Sequence, residues 1–188
     1  MEEQGLQVGF NPQDYLYHGT SDLYCDIIQN HGIRIIKRPK GDVDFGPGFY
    51  VSVGLQQQAA KWALDKATFP TYNKEALEII EMTYGDFMSV KDNLKPMVLK
   101  YRIKDPLGWR ELKSKVFLED DDAWKNWIFH WRKEQSTPEY DWVFGPVADG
   151  GLRQDSYREI RSQRGCNQLS IHSQKAIEML ELVEVISC

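Results

Sequence analysis

A tight turn that leads into an alternating segment constrains the fold of this chain most. Residues 46–48 read Gly-Pro-Gly, so the backbone turns sharply and carries few side chains that would block a ligand. Residues 49–53 then alternate between apolar and polar side chains, which is the period of a half-buried strand. The pattern predicts that Tyr50 and Ser52 share the face opposite the core, where a phenol ring beside a glycine turn can serve as a platform for a flat ligand.

Composition excludes several classes of protein. The 188 residues fit one domain, residues 1–188, with a full core. A net charge of −5 argues against a broad surface for nucleic-acid phosphates. Cys25, Cys166 and Cys188 match neither a disulfide framework nor a metal-ligand spacing, so we interpret them as reduced thiols of a cytoplasmic protein and expect no metal. No apolar run approaches the length of a membrane span, so we expect no membrane partner.

Hydrophobic periodicity predicts a mixture of helices and strands. Helices are predicted over 22–31, 56–68, 75–87 and 174–180, with a further helix behind the acidic run 119–122. Strands are predicted at 15–20, 33–36, 49–53, 97–103, 168–172 and 182–186, with another within 109–117. Residues 141–151 are predicted to form a strand that ends in a glycine-rich turn. Small residues on the helix over 56–68 predict close packing against the sheet.

Three of the predicted strands carry a polar second face bordered by glycines or apolar residues. They are His18 with Thr20, Tyr50 with Ser52, and Gln168 with Ser170 and His172. Polar strand faces in such surroundings suit the lining of a cleft better than an open surface. The pattern therefore predicts that the three strands contribute to one shared site.

Five short motifs, taken in order, resemble the ADP-ribosyltransferase superfamily. They are Tyr-His-Gly-Thr, Asp-Phe-Gly-Pro-Gly-Phe-Tyr, Gln-Gln-Ala-Ala-Lys-Trp-Ala, Gly-Pro-Val-Ala-Asp and Gln-Leu-Ser-Ile-His. The turn and Tyr strand are similar to those of poly(ADP-ribose) polymerases and diphtheria-toxin-like enzymes, and the set looks like a bacterial branch of unknown function. The resemblance runs over residues 17–180. It implies an α+β fold in which two small, strongly bent, antiparallel or mixed sheets form a split core around an NAD cleft.

The resemblance also implies roles for individual residues. His18 is expected to bind the adenine-proximal ribose, and Gly19 to hold the nicotinamide carboxamide through its main chain, with Thr20 supporting the same end. Tyr50 is expected to stack on the nicotinamide ring. All four residues would bind NAD, the substrate of an NAD-dependent mono-ADP-ribosyltransferase. His18 and Tyr50 would also be catalytic, together with Gln168.

The remaining expected cofactor-binding residues lie further along the chain. Gly48 lies in the turn, Ser52 supports the sugar or the strand, and Trp62 on the following helix offers a second aromatic wall. Asp149, in a glycine-rich turn, is a candidate carboxylate. The acceptor of ADP-ribose stays open: a protein, a nucleic acid or a small molecule. One positive lip of the cleft is expected from Arg34, Lys37, Arg38 and Lys40.

Gln168 departs from the superfamily, because it stands where the catalytic glutamate is expected. An amide oxygen can accept a hydrogen bond from a ribose hydroxyl but supplies no negative charge to the developing cation. Three outcomes stay open: transfer of a single ADP-ribose helped by the substrate, recruitment of Asp44 or Asp149 as the carboxylate, or NAD binding without turnover. Hydrolysis of NAD by water is a further alternative, and chain extension is not expected.

Overall fold

The computed structural model describes residues 9–36, 43–134, 136–149 and 156–188. Three residues of the predicted positive lip lie outside these ranges, namely Lys37, Arg38 and Lys40. The end of the predicted glycine-rich turn, residues 150–151, also lies outside them. Within the described ranges the strands are β1 (Leu16–Ser21), β2 (Phe49–Val53), β3 (Pro96–Ile103), β4 (Ser114–Val116), β5 (Trp142–Asp149), β6 (Arg161–Ile171) and β7 (Leu180–Ser187). The α-helices are α1 (Asp22–His31), α2 (Gln56–Thr68), α3 (Lys74–Leu77), α4 (Tyr84–Val90), α5 (Pro106–Arg110), α6 (Asp122–Trp131) and α7 (Gln174–Glu178).

The fold is α+β, as predicted, but its strands form one mixed seven-stranded sheet. Their order is β4-β5-β6-β2-β1-β3-β7, with β4 parallel to β5 and every other pairing antiparallel. The expectation of two separate small sheets is therefore wrong. The two halves are continuous because β1 and β2 pair through Leu16 with Val53 and Tyr17 with Ser52.

The junction between β1 and β2 is short, and the strands separate beyond it. β1 continues along β3 as far as Ser21, whereas β2 continues along β6 as far as Phe49. At the point of separation the imidazole Nδ1 of His18 lies 2.7 Å from the main-chain oxygen of Tyr50. Because a carbonyl can only accept a hydrogen bond, Nδ1 carries the proton. This side-chain hydrogen bond links β1 to β2 where main-chain hydrogen bonds between the two strands have ended.

Helix α2 packs directly on β1, as its small residues predict. Ala59 and Ala63 are fully buried, and a Cβ on Gly19 would overlap the carbonyl oxygen of Ala59 and lie 2.8 Å from the nitrogen of Ala63. Leu64, on the same helix, is exposed to 56% of its surface and is not part of this contact. The bare backbone of Gly19 therefore sets the distance between α2 and the sheet.

Two predicted elements differ from the structure. Residues 33–36 have no strand pairing and follow α1 as an irregular segment. The single helix predicted over 75–87 is broken: Asn73 caps α3, Glu81 has a left-handed φ of 56°, and Thr83 starts α4 with a capping box. These caps provide local hydrogen bonds that the helical spacing alone does not reveal. No described helix has the length and apolar character needed to cross a membrane.

Candidate functional site

Asp44 is the anchor of the turn that precedes β2. Its Oδ1 accepts hydrogen bonds from Nε and Nη2 of Arg132, at 3.0 and 2.7 Å. Its Oδ2 accepts from the main-chain nitrogen of Ala148 at 2.8 Å and from Nε2 of Gln168 at 2.6 Å. Both carboxylate oxygens are thus engaged, and a guanidinium balances the charge. Asp44 is placed to hold the turn and is not available as a catalytic carboxylate.

Gln168 has a fixed side-chain orientation. Besides the bond to Asp44, its Nε2 donates to the main-chain oxygen of Pro146 at 3.1 Å. Both amide N–H groups are therefore used, and the side chain is 4% exposed. Its Oε1 accepts no hydrogen bond from the described residues. Gln168 can therefore offer a ligand its Oε1, a neutral hydrogen-bond acceptor in a fixed orientation.

Tyr50 spans the glycine-proline turn, which we define as residues 44–48. Its hydroxyl accepts the N–H of Phe45 at 2.9 Å and donates to the carbonyl of Gly46 at 2.6 Å. The ring packs against an apolar cluster that includes Phe45 and Trp124. The sequence predicts a platform for a ligand ring, whereas the structure uses this phenol to hold the turn.

His172 and Ser170 lie beneath the same turn. Nδ1 of His172 donates to the carbonyl of Pro47 at 2.8 Å. Burial lowers the pKa of His172 to about 4, with the hydrogen bond to Pro47 acting in the opposite direction. A Cβ on Gly48 would overlap Oγ of Ser170 and lie 2.9 Å from Nδ1 of His172. The glycine-proline turn therefore covers the polar face of β2 and β6 at close range.

A cavity opens on the other side of Gly48, at the separated ends of β1 and β2. Its volume is about 180 Å³, and three predicted binding residues line it, namely His18, Thr20 and Gly48. His18 stacks on Phe49, which also lines the cavity, with ring centroids 4.3 Å apart. His18 and Thr20 are 4% and 3% exposed. The structure thus gathers one part of the predicted site around a single hollow.

Arg34 of the expected positive lip also lines the cavity, whereas Gln168, Tyr50 and the remaining predicted binding residues do not. Strand register places Gln168 and Tyr50 on the opposite face of the sheet from His18, because Leu16 pairs with Val53, and Val51 pairs with Leu169. The two groups approach each other at Gly48, which lines the cavity and lies against Ser170, and at the hydrogen bond between Nδ1 of His18 and the main-chain oxygen of Tyr50. The shared cleft expected from three polar strand faces is therefore divided between two faces of the sheet.

Three further predicted residues lie apart from the cavity. Ser52 is fully buried, and its hydroxyl donates to the carbonyl of Leu55 at 2.9 Å, so it stabilises the start of α2. Trp62 is half-buried on α2, and Asp149 is exposed at the end of β5. None of the three is among the residues that line the cavity.

Lys66 is a cavity residue that the sequence motifs do not identify. Its Nζ donates to the main-chain oxygen of Gly19 at 2.6 Å, and its side chain lines the cavity. The signal that points to it is its position on α2, three residues after Ala63 and seven after Ala59, on the face that packs against β1. A cation is thus held at the wall of the cavity by a main-chain carbonyl.

Within the described ranges there is no cluster of three or more His, Cys, Asp or Glu residues that would hold a metal ion. The three cysteines are free thiols. Burial, with smaller contributions from Asp26 and Asp22, raises the pKa of the Cys25 thiol to about 11. A thiol with this pKa stays protonated at neutral pH, which disfavours Cys25 as a nucleophile.

Comparison with known proteins gives one match. Residues 15–182 match a family that is described as "Protein of unknown function (DUF3990)". No curated protein and no solved structure matches the chain.

Proposed function

The chain belongs to the DUF3990 family of proteins of unknown function, and we propose that it is an NAD-dependent mono-ADP-ribosyltransferase with an ADP-ribosyltransferase-like fold. In this reaction the bond between nicotinamide and ribose breaks, nicotinamide leaves with the bonding electron pair, and a nucleophilic acceptor forms a new bond to the sugar carbon. The proposal is motivated by the resemblance of the five motifs to the ADP-ribosyltransferase superfamily. The structural observation that supports it is the cavity beside His18.

The size and position of the cavity support the binding of the pyridine end of NAD. A volume of about 180 Å³ is close to that of a protein cavity of about 150 Å³ that admits one benzene ring. The cavity lies where β1 and β2 separate. Gly19 pairs with Val98 of β3, whereas its other main-chain edge has no register partner on β2. This edge is the one that the superfamily resemblance assigns to the ring substituent.

The residues around the cavity suit an anionic nucleotide. Lys66 and Arg34 line it, and its lining among the described residues includes no Asp or Glu. This distribution contrasts with the net charge of −5 for the whole chain. A local excess of cations favours the approach of the dinucleotide's phosphates. In the proposal His18, fixed by its bond to Tyr50, binds a ribose hydroxyl, and Thr20 supports the same end.

Gln168 determines how much catalysis the site can supply. Its Oε1 is held in one direction by the two hydrogen bonds of Nε2 and can accept the hydrogen bond of a ribose hydroxyl. It contributes no negative charge to the oxocarbenium-like transition state, so the enzyme is slower than one with a carboxylate. Asp44 does not replace that carboxylate, because Arg132 balances its charge and four donors occupy its oxygens.

The same geometry favours a second candidate function, an NAD-binding module without turnover. Both amide hydrogens of Gln168 serve the structure, through Asp44 and Pro146. The side chain also lies on the opposite face of the sheet from His18. A protein that binds the pyridine end of NAD beside His18 without contacting Gln168 would keep its affinity for NAD. It would not cleave the bond between nicotinamide and ribose.

Incubation with doubly labelled NAD separates these functions. We expect release of nicotinamide together with transfer of labelled ADP-ribose to a component of a cell lysate. Thr20→Val, which removes one hydroxyl from the cavity wall, should lower the release, whereas Thr68→Val at the exposed end of α2 should not. NAD binding without nicotinamide release would identify the binding module, and release without labelled product would identify a hydrolase. Absence of both binding and release would contradict the proposal.

A further inference from the structure

The cavity beside His18 has a rim that is open to solvent. The described residues that both line the cavity and are exposed are Gly32, Arg34, Phe69 and Thr71, and we call them the cavity rim. Phe69 is the large apolar side chain among them, and 78% of its surface is exposed. An exposed apolar side chain is by itself ordinary on a protein surface. An aromatic ring that is exposed and also borders a cavity is placed to contact a ligand that extends out of that cavity.

The ring of Phe69 is presented by a restrained main chain. The N–H of Phe69 donates to the carbonyl of Asp65 at 2.8 Å, where α2 ends. Pro70 follows, and a proline limits the backbone of the residue before it. No other aromatic ring in the described part of the chain contacts that of Phe69. The ring is therefore held beside the cavity without being part of the core.

The cavity is too small to enclose a dinucleotide. Its volume of about 180 Å³ suits one substituted ring. NAD has two ring systems joined by a diphosphate, so its second ring lies outside when the pyridine ring is inside. On the rim, Arg34 supplies a cation that makes no hydrogen bond or ion pair with the described residues. The rim thus provides a charged group for a phosphate and, in Phe69, a flat apolar surface for a base.

We propose that Phe69 stacks on the base of a nucleotide whose phosphates lie on the cavity rim towards Arg34. It is then the residue by which the site distinguishes a dinucleotide from its pyridine half. That the base is the adenine of NAD rests on the proposed function, whereas the stacking requires only a base next to phosphates. Replacing an aromatic side chain that stacks on a base by alanine weakens binding about ten-fold.

Isothermal titration of NAD, nicotinamide mononucleotide and ADP into the full chain tests the inference. NAD has both ends, the mononucleotide has the pyridine end alone, and ADP has the base and a diphosphate without the pyridine. Phe69→Ala removes the aromatic ring, and Phe69→Tyr keeps one. The matched control is Leu64→Ala, which removes an apolar side chain that is 56% exposed on the same helix and does not line the cavity.

We expect Phe69→Ala to weaken the binding of NAD and of ADP about ten-fold. Its affinity for nicotinamide mononucleotide should stay within about two-fold of the wild-type value, because that ligand has no base to stack on the ring. Phe69→Tyr and Leu64→Ala should bind all three compounds like the wild-type chain. Since the side chain of Phe69 is exposed, its removal leaves the core intact.

Each other outcome has a defined meaning. If Phe69→Ala binds NAD as tightly as the wild-type chain does, the inference is overturned while the proposed function stands. An equal loss of affinity for the mononucleotide would place Phe69 at the pyridine end and would also overturn the inference. If Phe69→Ala weakens ADP about ten-fold but the mononucleotide does not bind and NAD binds no better than ADP, the inference stands and the proposed function fails. If none of the three binds the wild-type chain at millimolar concentration, both are overturned.

Discussion

Gln168 and Asp44 are joined by a buried hydrogen bond of 2.6 Å, from the amide Nε2 to the carboxylate Oδ2. The pairing explains why an amide stands where the superfamily resemblance leads one to expect a glutamate. A carboxylate at position 168 would face that of Asp44 across hydrogen-bond distance in a site closed to solvent. The turn before β2 is anchored through Asp44, so the neutral donor at Gln168 is part of the structure as well as of the candidate site.

Gln168→Glu should therefore destabilise the protein rather than restore a missing catalytic group. We expect the free energy of unfolding to fall by about 3 kcal/mol at neutral pH, since a donor is replaced by a second buried negative charge. Repulsion between the carboxylates would raise the pKa of one of them in the folded state. The folded variant then binds more protons than the unfolded chain, and the deficit shrinks as the pH is lowered. Urea unfolding at two pH values measures both effects.

Gln163→Glu, at an exposed position of the same strand, is the control and should change stability by less than about 0.5 kcal/mol. A Gln168→Glu variant as stable as the wild-type chain at neutral pH would show that the bond to Asp44 is not an anchor.

His172 should make the fold sensitive to acid. Its pKa is lowered from 6.5 to about 4 by burial, so the unfolded chain takes up a proton before the folded chain does. The stability linked to the neutral imidazole is fully present above about pH 6.5 and is lost as the pH falls to about 4. The loss amounts to about 3 kcal/mol. In His172→Asn, which can keep a donor to Pro47, this part of the loss should be absent.

The readout is the difference in unfolding free energy between neutral pH and about pH 4. The control, His130→Asn on the exposed surface of α6, should lose stability in parallel with the wild-type chain. If His172→Asn also follows the wild-type curve, then His172 is not held neutral by burial.

Gly19→Ala should displace α2 from the sheet. The added Cβ would overlap the carbonyl of Ala59, a backbone atom that moves only with the helix. We expect a loss of about 1–3 kcal/mol in the free energy of unfolding, the usual cost of overpacking. Gly85→Ala in α4 meets nothing closer than Oγ1 of Thr83 at 3.7 Å and should stabilise that helix by about 0.5–1 kcal/mol. Chemical denaturation of both variants checks the contrast, which equal stabilities would contradict.

Local patterns in the sequence predict much of the fold. The spacing over 22–31 and 56–68 gives α1 and α2 with their observed bounds, and alternation at 49–53 gives β2. The order of the strands does not follow from such patterns, because pairing is decided by contacts between residues that are distant in sequence. The two register pairs between β1 and β2, which join the halves into one sheet, are an example.

The candidate site was harder to predict than the fold. Alternation correctly separates the apolar from the polar face within β2 and β6, but it does not indicate what covers a polar face. Tyr50 and His172 are covered by the glycine-proline turn, to which each donates a hydrogen bond. Lys66 has no motif of its own, and its role follows only from the packing of α2 on Gly19.

In the proposed function, NAD binds with its pyridine ring in the cavity at the separated ends of β1 and β2. A crystal structure of the chain grown with NAD at millimolar concentration tests it most directly. We expect the pyridine ring to contact His18, Thr20 and Gly48, with the phosphates directed towards Lys66 and Arg34. NAD bound elsewhere on the surface, or an empty cavity in well-ordered crystals, would contradict it.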